Sequence, residues 1–135
     1  MPATHPFVST VQVRVPGQGT AGTDSTFTLC RAPYAGTLTS ATYTTDAAIS
    51  GHASNNRTLS IINKGQSGAG STSMATVTTD GSNSFTAFDE KALTLSGTPA
   101  NLVVAEGDIL AFLSDANASG VIDPGGVVVL KIDRS

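Results

Sequence analysis

The stretch Val104–Leu113, "VAEGDILAFL", sets two carboxylates on either side of a glycine and then turns wholly apolar. If Glu106 and Asp108 launch a strand, Ile109, Ala111 and Leu113 share one face, and Leu110 and Phe112 share the other. Glu-Gly-Asp suits a tight turn, because glycine supplies positive φ and an Asp side chain bonds the backbone where the strand begins. The rival reading is a catalytic pair. An acid and a base of that kind stand about 5–10 Å apart across a cleft, one with a raised pKa. Two residues apart on an extended segment, Glu106 and Asp108 permit that geometry, yet the run behind them is a buried strand. The turn is the better reading, and no enzyme is expected.

Outward from this stretch, apolar residues recur at period two in short runs. Gly, Pro, Asn and Asp clusters punctuate them at about ten- to fifteen-residue intervals. "VQVRV" puts Val11, Val13 and Val15 on one face, and "STFTLCR" pairs Phe27 with Leu29. "GTLTSATYTT", "RTLSIINK", "STSMATVTT", "KALTLS", "DILAFLS" and "GVVVLKID" continue the pattern, in β-branched residues that suit a pleated surface. No helical period of any length appears. The expected fold is all-β, an antiparallel, jelly-roll-like β-sandwich of about eight strands, with residues 1–10 as an extended N-terminal arm and 11–135 as the sandwich domain.

The last two long strands are apolar on both faces. Val128, Leu130 and Ile132 oppose Val127 and Val129. Strands of that kind need cover on both sides, and in a small chain the second cover is expected from another subunit. Leu110, Phe112, Val127 and Val129 are therefore the expected oligomer-interface residues. In the arm, Pro2 and Pro6 favour extended backbone, and Pro6, Phe7 and Val8 are the residues able to anchor on a partner.

Composition narrows the partners. The 135-residue chain is 39% hydrophobic and 13% charged, with net charge −3 and seven scattered Lys and Arg residues. No basic stripe exists for phosphates, so no nucleic-acid partner is expected. No window suits a membrane helix and the N-terminus has no signal-peptide pattern, so a soluble protein made in the cytoplasm is expected. Cys30 is the only cysteine, which rules out an internal disulfide and leaves a buried, inert thiol as the expectation.

The motif nearest to a metal site is "DANASGVIDPGG", Asp115–Gly126. Asp115, Asn117, Ser119, Gly120, Ile122 and Asp123 match a calcium-binding EF-hand loop, whose alternating oxygens converge on the cation. Its twelfth position, where a bidentate Glu belongs, is Gly126, and Pro124 stands where a helix would continue. Turn chemistry alone explains these residues, so no metal and no cofactor is expected. His5 and His52 have no ligand spacing, and no nucleophile elbow is present. Asp46 and Asp80, which close two similar strings, each read as the start of a turn.

The segments "LCRAPYAGTLTSATYTTDAAISGHASNNRTLSIINKGQSGAGS", "TLSG", "LVVAEGDILAFLS" and "GVVVLKI" resemble, in order, the small β-sandwich decoration (cement) proteins of tailed-phage heads. The similarity runs from about Leu29 to Ile132 and is carried by turn signals. It implies a structural virion protein, made in the host cytoplasm, that binds the outer surface of an icosahedral capsid as a homotrimer and stabilises it. The implied partners are the major capsid protein and further copies of the chain, and the implied contacts are the arm and one end of the sandwich. A head-fibre or tail receptor-binding β-domain, with carbohydrate as a ligand, is the alternative. Tyr34 and Tyr43 are its only large stacking platforms besides phenylalanine.

Overall fold

The computed structural model describes residues 8–135. Ten strands run in chain order: β1 (Val8–Val15), β2 (Ser25–Arg31), β3 (Gly36–Thr45), β4 (Arg57–Asn63), β5 (Thr72–Thr78), β6 (Glu90–Ala92), β7 (Thr94–Leu95), β8 (Val103–Val104), β9 (Ile109–Ala116) and β10 (Gly126–Arg134). One 3-10 turn, Pro99–Leu102, precedes β8. The expectation of an antiparallel β-sandwich holds. One sheet has the order β1-β10-β3-β6, with β8 also on β3, and the other the order β2-β9-β4-β5-β7. Every strand pairing is antiparallel. The sequence count of about eight is met by seven long strands and three short ones.

Alternation explains the core. Val11, Val13 and Val15 of β1 face Leu130, Val128 and Gly126 of β10, and this face meets Leu59, Ile61 and Phe112 from the second sheet. The rings of Tyr43 and Phe112 lie 4.9 Å apart at the centre, and Phe85 approaches Tyr43 edge-on at 6.1 Å. Two bulges add to the filling. An extra residue in one strand of an antiparallel pair bends it locally; here Leu29 and Met74 are the extra residues, and both are buried.

Two of the expected interface residues are corrected. Leu110 and Phe112 are fully buried between the sheets, because Phe112, the largest side chain of β9, fills the inter-sheet space and Leu110 shares its face. Its outward residues are Ile109, Ala111 and Leu113, with Ala111 covered between its neighbours Thr28 and Ile62. Val127 and Val129 do face outward on β10 and are half-buried.

"KALTLS" is two strands in different sheets. Leu93 turns inward, and its N–H donates to the Ala41 carbonyl at 2.9 Å. The chain thus leaves one sheet after β6, joins the other as β7, and returns as β8, closing one side of the sandwich. β1 begins at Val8, opposite Asp133, so residues 8–10 of the expected arm belong to the sheet. Pro6 and Phe7 lie outside the described residues.

Candidate functional site

At the start of β9, Asp108 closes a turn. Its carboxylate accepts hydrogen bonds from the Ala105 N–H at 2.9 Å and from the Asn63 amide at 3.0 Å. Gly107 sits at φ +91°, where a side chain would strain the backbone. Its N–H donates to the Ala32 carbonyl, and the Asp108 carbonyl accepts from the Ala32 N–H. The Glu106 carbonyl accepts from the Gln66 amide, and its side chain is exposed. Partial burial raises the Asp108 pKa, but the bonds from Asn63, Ala105 and Gln66 outweigh it and hold the carboxyl below its ordinary value. A group held ionised in this way anchors a turn. Glu106 and Asp108 do not line a cleft together.

The four oxygen-bearing residues of the calcium-like loop do not converge. The Asp123 carboxylate points into the sandwich, where it accepts from the Tyr43 hydroxyl at 2.6 Å, the Ser114 hydroxyl at 2.9 Å and the Gly125 N–H at 3.1 Å. Asn117 donates to Asn56 and Thr58, and the Ser119 N–H reaches Asn55. Asp115 remains on the outer face of β9, hydrogen-bonded to Asp24. That bond, burial and the Asp24 charge raise the Asp115 pKa, while Arg57 opposes the rise. Among the described residues no three His, Cys, Asp or Glu side chains gather around a common point.

Sequence reasoning missed a buried polar network at this end. Arg57 is fully buried. Its Nε donates to the Val121 carbonyl at 2.8 Å and its Nη1 to the Thr23 carbonyl at 2.9 Å. Nη1 also lies 3.3 Å from the Ser114 hydroxyl, which in turn donates to Asp123. Opposite buried charges are thereby joined through one serine, while Nη2 has no hydrogen-bond partner. Burial, and then the adjacent Asp123 charge, push the Tyr43 phenol far above its ordinary pKa. The loops after β1 and β9 are thus held to the core. The available signal was an Arg opening a strand with no other charged residue, "RTLSIIN".

Other expected turn residues divide. The Asp80 carboxylate accepts from the Ser82 N–H, and His52 Nδ1 accepts from the Ser54 and Asn55 N–H groups. Asp46 instead makes a bidentate ion pair with Arg14 at 2.7 and 3.0 Å. Cys30 is half-buried, which raises its thiol pKa. No helix among the described residues is long and apolar enough to cross a membrane.

The remaining features are surfaces. Val8, Asp133, Thr37 and Val103 form one row across the outer face of the first sheet, and the two valines are 45% and 56% exposed. At the opposite end Phe88 and Ile122 are 78% and 52% exposed. Two hollows, of about 360 and 160 Å³, lie beside β7 and on the outer face of the second sheet. Comparison with protein-family models, with curated proteins and with solved structures found no match.

Proposed function

We propose that the chain is a structural virion protein that binds the outer surface of an icosahedral phage capsid as an oligomer, with a trimer as the expected form. It would fold in the host cytoplasm and end on the capsid exterior, bound to the major capsid protein. The observation that carries this reading is the row Val8–Asp133–Thr37–Val103. It puts two exposed valines on one rim of the sandwich, where the chain enters from residues 1–7. Exposed apolar side chains on a rigid rim favour docking onto another protein. The polar groups that first suggested chemistry are engaged in turns or in the core, which favours a binding role. Multivalent attachment through several copies would multiply modest contacts.

Co-sedimentation with undecorated capsids of the encoding phage tests the proposal. The wild-type chain should pellet with capsids and raise their resistance to heating, and Val103→Asp should weaken binding by roughly tenfold or more. Absence of wild-type binding would overturn the reading.

A further inference from the structure

Phe88 is the most exposed of the large apolar side chains in the described chain, at 78%. Its φ is +62°, a conformation that a bulky residue adopts only where its surroundings impose it. The turn is clamped on both sides. The Phe88 N–H donates to the Thr45 carbonyl at 2.8 Å, and Ile49 and Phe85 exchange both backbone hydrogen bonds. Phe85 is buried while Phe88, three residues on, projects into solvent. Asp89 and Glu90 follow it and are exposed. Neither forms an ion pair among the described residues, where Arg14–Asp46 is the only one.

A complementary feature lies on the outer face of the second sheet. Thr26, Ile62, Lys64, Ser71 and Leu113 line a hollow of about 160 Å³. An apolar cavity of about 150 Å³ accommodates a benzene ring. Ile62 and Leu113 give this hollow apolar walls, and Lys64 adds a cation with no ion-pair partner among the described residues. The larger hollow beside β7 has no Lys or Arg in its lining.

We infer that Phe88 of one copy seats in the Ile62–Leu113 hollow of the next, with Asp89 and Glu90 facing Lys64. Knob and hollow are different patches of the same surface, so the contact is heterologous and closes into a ring when the rotation allows. The inference rests on the oligomeric part of the proposed function and names the residues that would form it. The knob offers an aromatic ring beside two carboxylates, and the hollow offers apolar walls beside one lysine. Fit and charge together favour a second copy as the occupant.

The test is the solution mass of the full chain, by light scattering during size exclusion, with far-UV circular dichroism to check folding and capsid co-sedimentation in parallel. The wild type should be an oligomer at micromolar concentration. Phe88→Ala and Lys64→Glu should each weaken assembly at least tenfold while remaining folded. Combining Lys64→Glu with Asp89→Lys and Glu90→Lys should restore assembly. A folded Phe88→Ala chain with wild-type mass would overturn the inference and leave capsid binding standing. Assembly that depends on Phe88, in a chain that ignores capsids, would support the inference and sink the capsid role. A monomeric wild type whose capsid binding is lost in Phe88→Ala would place the ring against the shell and overturn the contact between copies.

Discussion

Asp123→Asn removes the negative charge that Arg57 faces through Ser114, and does so where water cannot substitute. Breaking a buried charge arrangement by deleting one member costs about 3 kcal/mol or more. Urea unfolding at pH 7 should show that loss. Asp115→Asn should act in the opposite direction. The folded pKa of Asp115 is raised, so its carboxyl contributes stability at low pH that is lost as pH rises through that pKa. The variant should therefore be more stable than wild type near neutrality, by on the order of 0.5 kcal/mol, with the gain vanishing in acid. Asp108 has the reverse sign. Its folded pKa is lowered, so its contribution is present above the unfolded pKa and lost as pH falls through the folded one. Asp108→Asn should cost about 1 kcal/mol at pH 7 and progressively less on acidification, by the same unfolding measurement. The Asp108 turn was legible because its chemistry is local: a glycine beside it and a strand behind it. Arg57 and Asp123 were not, because their meeting depends on which strands become neighbours.

Among the elements, alternation located the strands well and their faces less well. In β1, polar residues between the valines state which side is inward. In β9 both sides are apolar, so parity alone left Leu110 and Phe112 free to face either way; the one aromatic, Phe112, set against Ala111 on the other side, was the usable signal. The break at Leu93 was hidden for a similar reason. Leu93 and Leu95 alternate with Thr94 and Ser96 as in a single strand, and the change of sheet comes from where Leu93 finds a core and an acceptor on Ala41. The turn into β10 offers a direct test. Gly125 lies at φ +84°, with Val15 and Pro16 backbone atoms 2.8 Å from where a β-carbon would stand. Gly125→Ala should cost about 2 kcal/mol or more, combining left-handed strain with overpacking, and should lower the midpoint of thermal unfolding.

The whole molecule has one core shared by both sheets, and its strand neighbours are mostly distant in sequence. Folds of that topology form in about milliseconds to seconds, and a single core predicts one cooperative transition. Stopped-flow refolding should be correspondingly slow. Equilibrium unfolding followed by tyrosine fluorescence should coincide with that followed by far-UV circular dichroism. The chain contains two tyrosines and no tryptophan, so the optical signal reports on Tyr43 at the centre and on Tyr34, whose hydroxyl donates to the Ile132 carbonyl.

The pairing of β1 with β10 also has a mechanical consequence. Val8 stands opposite Asp133, and the ladder runs from there to Val15 opposite Gly126. Both ends of the described chain therefore leave the same rim. Tension between the two termini would unzip this ladder one rung at a time, at low force. Tension between the N-terminus and the loop around Ser119 would load the rungs together in shear. Optical-trap pulling along these two directions should give clearly different rupture forces, the terminal direction being the weaker. A sandwich held by its N-terminal rim and loaded at its far end would be pulled along its strong axis.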